Sequence, residues 1–169
     1  APHQALANAM AGHAEDMLRR NYFGHDSPEG ETPSDRALEA GYPVGAGENI
    51  AWSGNTGGID ENGEVYNRHA GLFESVGHRV NMMRTNWREI GPGIRYGLFT
   101  NEEATFPSIM AGTMFGDRGG DAFITGVVIS DGLVSNNFYE IGEGIRDVRI
   151  QAVNVLTSET YEVRSGSSG

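Results

Sequence analysis

Residues 47–51 read Gly47-Glu48-Asn49-Ile50-Ala51, an acid and an amide wedged between a glycine and an apolar pair. Two other stretches share the pattern of a glycine followed by a metal ligand or acid/base group: Gly24-His25-Asp26 and Gly77-His78-Arg79. A glycine beside such a side chain lets the backbone turn sharply and leaves room on one side. Together these three places predict turns converging on one polar site. A purely structural role for Glu48, bridging backbone amides in a buried turn, fits the same residues.

The flanking sequence supplies helices and then strands. Leu6, Met10, His13/Ala14 and Met17 recur at three- and four-residue steps, the apolar stripe of an amphipathic helix running to about Arg20. His25 follows just past that helix end. Thr32-Pro33-Ser34-Asp35 reads as a second helix start, with Thr32 as cap, and Gly41 as its stop. Residues 53–64 read as a loop; helices are expected over Val65–Glu74 and from Val76 to about Thr85, with Ser75 as cap. Ile90–Phe99 and Ser108–Phe115 read as two antiparallel strands. Helices followed by strands give an α+β class. Beyond Gly116-Asp117-Arg118-Gly119-Gly120-Asp121, three β-type runs (Ala122–Ile129, Val148–Leu156 and Tyr161–Arg164) carry no helix signal. The expected division is therefore residues 1–118 and a β-rich segment 119–169.

Composition narrows the function. The 169 residues carry 23 acidic and 12 basic side chains, a net charge of −11, and every basic residue is arginine. Phosphate recognition needs a basic patch, so nucleic acid is excluded as a partner and adhesion to anionic lipid is disfavoured. No apolar run is long enough for a membrane span. Zero cysteines exclude a disulfide scaffold, a thiol nucleophile and a Cys-based zinc site.

Among the five histidines, His3 lies near the chain end and His13 on the helix stripe, where a hydrogen-bonded core role is expected. His25, His69 and His78 fall in loops or near helix ends. No His-x-x-x-His or Glu-x-x-His spacing occurs, so any metal site must be assembled from distant segments. Imidazoles with a carboxylate could hold a divalent ion such as zinc with open positions for water, or exchange protons with a substrate. There is no Gly-x-Ser-x-Gly elbow, and Ser75 is explained as a helix cap.

Read as linked motifs, the first two thirds of the chain resemble a known family. His13-Ala14-Glu15-Asp16-Met17 and Phe23-Gly24-His25-Asp26-Ser27-Pro28-Glu29-Gly30 are similar to the opening signatures of CAP (SCP, PR-1-like) domains. Ala40-Gly41-Tyr42 with Gly47-Glu48-Asn49-Ile50-Ala51 resembles their A-G-Y…G-E-N-I-A pattern. Ser75-Val76-Gly77-His78-Arg79-Val80-Asn81-Met82-Met83 resembles S-P-G-H-R-x-N-I-L, and Ile90-Gly91-Pro92-Gly93 resembles I-G-V-G. The match runs in order from about Ala5 to Gly116, and the missing cysteines fit the bacterial form.

The resemblance implies an α-β-α sandwich with a cleft lined by two histidines, His25 and His78, and two acids. Glu48 is the first acid; Glu74, with Glu64 as fallback, is the second. It further implies a secreted protein, a divalent ion such as zinc held by His25 and His78, and a small-molecule, lipid or peptide ligand. Two alternatives stay open: a metal-dependent hydrolase with Glu48 as general base, and a non-catalytic adhesion or matrix module. Departures are Leu72 where the family has tryptophan, a reduced strand signature at Ala111-Gly112-Thr113-Met114-Phe115-Gly116, and no counterpart of the family's first helix, which implies a truncated or processed front end. The tail resembles a partial B-type repeat of bacterial surface proteins, in which Asp131, Asn136, Glu140 and Glu143 are calcium-loop candidates; a plain solvated hairpin accounts for it equally.

Overall fold

The computed structural model describes residues 1–102, 104–120, 123–133 and 142–169. The chain divides into two compact units, Ala1–Phe123 and Ile124–Gly169.

The first unit opens with α1 (Gln4–Arg20), whose Leu6, Met10, His13, Ala14 and Met17 are buried. Arg19 and Arg20 in its last turn complement the helix dipole, and Asn21 closes it in the left-handed region with φ 57. In α2 (Pro33–Glu39) the cap is reciprocal. The Thr32 hydroxyl accepts from the Asp35 N–H, and the Asp35 carboxylate accepts from the Thr32 N–H at 2.9 Å; this capping box satisfies two otherwise orphaned donors. There follow β1 (Ala46–Gly54), α3 (Glu61–Glu74), α4 (Val76–Met82), β2 (Glu89–Thr100) and β3 (Thr105–Gly116).

The three strands form an antiparallel sheet in the order β1-β3-β2. Glu89 pairs with Gly116 and Thr100 with Thr105 in the β2–β3 hairpin, while Ala46 of β1 also lies opposite Gly116. One sheet face takes α1. Met110 and Met114 of β3 join Leu6, Met10, Ala14 and Met17 in the core, and β2 offers Gly91 and Gly93 to the helix. A Cβ on Gly93 would sit 2.8 Å from the Met10 Cβ and closer still to the helix backbone; these glycines set how near α1 lies to the sheet. The other face takes α3, α4 and the Trp87 segment. Gly47 lies so close to the Trp87 ring that an added Cβ would be 2.8 Å from it. Helices on both sides of an antiparallel sheet make the α-β-α sandwich.

Apart from this core, Glu89 is buried at the start of β2. It accepts from Arg118 (Nε, 2.8 Å) and from the Tyr42 hydroxyl (2.8 Å). The guanidinium pulls its carboxyl down to about 2, overcoming the opposing effect of burial.

Several expectations are corrected. Residues 47–51 are strand, not a turn, and Gly77 lies inside α4; of the three glycines only Gly24 is in a loop. Glu48, Asn49 and Ile50 are all buried, so this strand lacks the in-out alternation that would mark it. The expected loop 53–64 contracts to 55–60, because α3 begins at Glu61 with Glu61 and Glu64 favourably placed in its first turn. α4 stops at Met82.

In the second unit, β4 (Arg149–Val153) and β5 (Thr160–Arg164) form an antiparallel hairpin. The run Ala122–Ile129 was expected as a third strand. Ala122 lies outside the described residues; the remainder contributes only an isolated bridge, Ile129 to Gly144, and finds no ladder partner among the described residues.

Candidate functional site

Successive side chains of a strand point to opposite faces, and β1 uses both. Glu48 turns towards α1 and α2. Its Oε1 accepts from Nδ1–H of His25 at 2.9 Å, and its Oε2 accepts from the Arg36 guanidinium at 2.9 Å. His13 Nε2 stands 3.9 Å from Oε1. The Glu48 side chain is 1% exposed and that of Arg36 is 7% exposed, while the His25 ring is 51% exposed. A buried carboxylate needs a buried counter-charge. Arg36 supplies it, and the imidazole of His25 carries the contact outward to solvent.

Arg36 does more than balance charge. The same guanidinium donates to the backbone carbonyls of His25 (2.7 Å) and Glu31 (2.9 Å). It thereby ties the loop that bears His25 to α2 and β1. His13 stays in the core as expected: Nε2–H donates to the Gly24 carbonyl at 2.9 Å. Burial lowers its pKa, with the Arg36 charge adding to the effect and the Glu48 charge opposing it. Carbonyls of the His25 loop are thus held by side chains from both helices: Gly24 by His13 of α1, and His25 and Glu31 by Arg36 of α2.

Asn49 turns to the other face. Its Nδ2 donates to the backbone carbonyl of His78 at 3.0 Å. Asn81 Nδ2 donates to the Glu48 carbonyl (3.2 Å) and to Asn49 Oδ1 (3.0 Å), and the Trp87 indole N–H donates to Asn81 Oδ1 (3.2 Å). These bonds anchor α4, which carries His78. The His78 ring is fixed by Ser75, Nδ1 to Oγ at 2.8 Å. It borders a groove lined by Phe23, Ile50, Trp52, Arg68 and Leu72.

The structure therefore joins His25 directly to Glu48 and ties the His78 segment to the next residue of the same strand. His25 and His78 make no hydrogen bond with each other among the described residues. Glu74 is exposed; Arg79 bonds its backbone carbonyl rather than its carboxylate. Glu64 pairs with Arg68 at 3.4 Å on α3. Neither contacts Glu48 among the described residues. His69 is exposed, and His3 lies edge-on to Tyr42 with ring centroids 4.9 Å apart. In the second unit, Glu143 is buried and accepts from the Gly132 and Leu133 N–H groups at 3.1 and 2.8 Å. Asp131 is half-buried, and Asn136 and Glu140 lie outside the described residues.

Among the described residues no group of three or more His, Asp or Glu side chains could hold a metal ion. On both His25 and His78, Nδ1 is engaged by an oxygen, from Glu48 or Ser75, and neither Nε2 makes a hydrogen bond among the described residues; only the carboxylate of Glu48 sets a tautomer, since the Ser75 hydroxyl can donate or accept. A histidine held through its other nitrogen by an oxygen is the usual arrangement behind a metal-bound imidazole. Glu48, with each oxygen already engaged by a cation or an imidazole, acts on the exterior through His25. Arg36, Asn49 and Asn81 had no local spacing to announce them; Asn49 and Asn81 stand inside quoted motifs, but as partners of backbone carbonyls they carry no chemical signature.

A family model described as CAP, cysteine-rich secretory protein family, matches residues 1–97. The chain is 33% identical over 99 residues to a protein named uncharacterized membrane protein YlbC of Bacillus subtilis (strain 168), covering 57% of this chain and 26% of that protein. Among solved structures, an extracellular protein containing a SCP domain from Bacillus anthracis str. Ames aligns with a TM-score of 0.47 and 29% identity over 70% of this chain and 33% of that one. An outer surface protein from Borrelia burgdorferi aligns with a TM-score of 0.47 and 16% identity, over 69% of this chain and 77% of that one. The chain spans about a quarter of the length of the Bacillus subtilis relative.

Proposed function

The chain belongs to the CAP, cysteine-rich secretory protein family, and from that premise we propose that it is an extracellular bacterial module whose cleft binds a divalent metal ion, zinc in the first instance, through His25 and His78. The observation that supports the reading is that each ring is held at Nδ1 by an oxygen and makes no hydrogen bond at Nε2 among the described residues. Two neutral imidazoles suit zinc, with water or a bound ligand completing the tetrahedron. When bound, the ion supplies Lewis acidity to whatever occupies the adjoining groove. That groove is largely apolar, with Arg68 as its charged group, and it accommodates a small apolar or peptidic ligand.

Titration calorimetry with zinc on the metal-stripped protein tests this. Binding near one equivalent is expected, lost in the His25→Ala/His78→Ala double variant. Equal uptake by both proteins would overturn the metal reading.

A further inference from the structure

We infer that Arg36 is a positioning residue that holds the Glu48 head group and the His25 backbone in register, so that the Glu48 carboxylate keeps the His25 ring as its Nδ1–H tautomer. The geometry rests on one guanidinium with three acceptors: Glu48 Oε2, the His25 carbonyl and the Glu31 carbonyl. An arginine has five N–H donors in a rigid fork and no acceptor. Its partner on Glu48 must therefore be an oxygen. Oε2 is committed to Arg36, which turns the other carboxylate oxygen, Oε1, towards His25; both oxygens are acceptors. His25 can satisfy it only by donating Nδ1–H, so the neutral ring carries its lone pair on Nε2. The bond to the His25 carbonyl holds the backbone of the same residue against the same guanidinium, so the ring is fixed in position as well as in tautomer. His25 therefore meets solvent as a base or donor ligand, suited to a metal ion, an electrophilic carbon or a proton donor. This assignment stands whether or not a metal binds.

The amide variant Glu48→Gln separates this role from mere packing. If Arg36 dictates orientation, it retains the amide oxygen and turns the NH2 towards His25. Nδ1 must then accept, and the ring inverts to the Nε2–H tautomer. The tautomers are distinguished by 1H–15N long-range correlation spectra of 15N-labelled protein with a metal chelator present, at a pH where the ring is neutral. Wild type is expected wholly as Nδ1–H and Glu48→Gln inverted, whereas Glu48→Gln/Arg36→Met is expected with mixed tautomers, because without the guanidinium the amide can turn either its oxygen or its NH2 towards His25. An Nε2–H wild-type ring overturns the inference without any variant. So does a folded Glu48→Gln protein that keeps the wild-type tautomer. The chelated sample keeps this outcome separate from any result with zinc.

Discussion

Glu48 and Asn49, consecutive on β1, hold the two histidine-bearing segments from opposite faces of the sheet. Glu48 takes the His25 ring at 2.9 Å, and Asn49 takes the His78 carbonyl at 3.0 Å. The two-residue period of a strand turns one dipeptide into a bracket between layers. Asn81, bonded to both residues, closes the bracket from α4.

The Arg36–Glu48 pair makes the first prediction. Both side chains are buried, so removing one charge strands the other. Glu48→Ala is expected to lose roughly 3 kcal/mol of stability, the low end for a broken buried pair, since Arg36 keeps its two carbonyl partners. Urea unfolding measures it. A loss under about 1 kcal/mol would mean the carboxylate is better solvated than its burial implies.

How much of this was legible beforehand depends on how local each signal is. α1 and α2 were readable because a 3.6-residue stripe and the Thr32/Asp35 cap lie within one stretch of chain. The β2–β3 hairpin was readable from two apolar runs. β1 was not: Glu48 and Asn49 are polar and buried, and their burial is compensated by Arg36, His25 and Asn81, which arrive from elsewhere. The same reason hid Arg36. Its role exists only where α2, the His25 loop and β1 meet, and no spacing in the sequence records that. His25 and Glu48 emerged as candidates through ordered motifs, without any indication that Arg36 would engage Glu48.

Gly93 carries the second prediction. Its missing side chain is where Met10 and the α1 backbone lie, and neither can retreat without lifting the helix off the sheet. Gly93→Ala should cost about 3 kcal/mol, the upper range for overpacking, and lower the thermal midpoint by several degrees. Gly71→Ala, on α3 with nothing near its Cβ position, serves as the control and is expected to be neutral or mildly stabilising. Equal effects of the two would remove the close-approach argument.

Acid sensitivity is the third. The unfolded chain protonates His13 near the ordinary value of 6.5, whereas burial holds the folded residue below it. The unfolded state thus binds more protons in that interval, and stability must fall as pH drops below about 6.5. A second decline begins below the ordinary 4.5 of Glu89, whose folded value is about 2; there Asp16 and Glu29, also lowered by their arginine and tyrosine partners, contribute in the same direction. His13→Gln can still donate to the Gly24 carbonyl but cannot titrate. Its urea midpoint should be flatter than wild type as pH falls below about 6.5. Parallel curves throughout would show that His13 is not the group responsible for the first decline.

Asn49 supplies the last prediction, which separates the two halves of the bracket. Asn49→Ala deletes the donor to the His78 carbonyl and the acceptor for Asn81, leaving two half-buried polar groups each one partner short. A loss of about 2 kcal/mol is expected, accompanied by faster amide exchange across α4. The Glu48 side chain points the other way, so the Nδ1–H tautomer of His25 should be unchanged. If zinc is held by both rings, its affinity should drop by about 10- to 100-fold, as for other lost outer partners of a metal ligand. Loosened exchange in α4 with undiminished zinc affinity would place the metal on His25 without His78. A changed His25 tautomer in this variant would instead mean that the two faces of β1 are coupled more tightly than their separate hydrogen bonds allow.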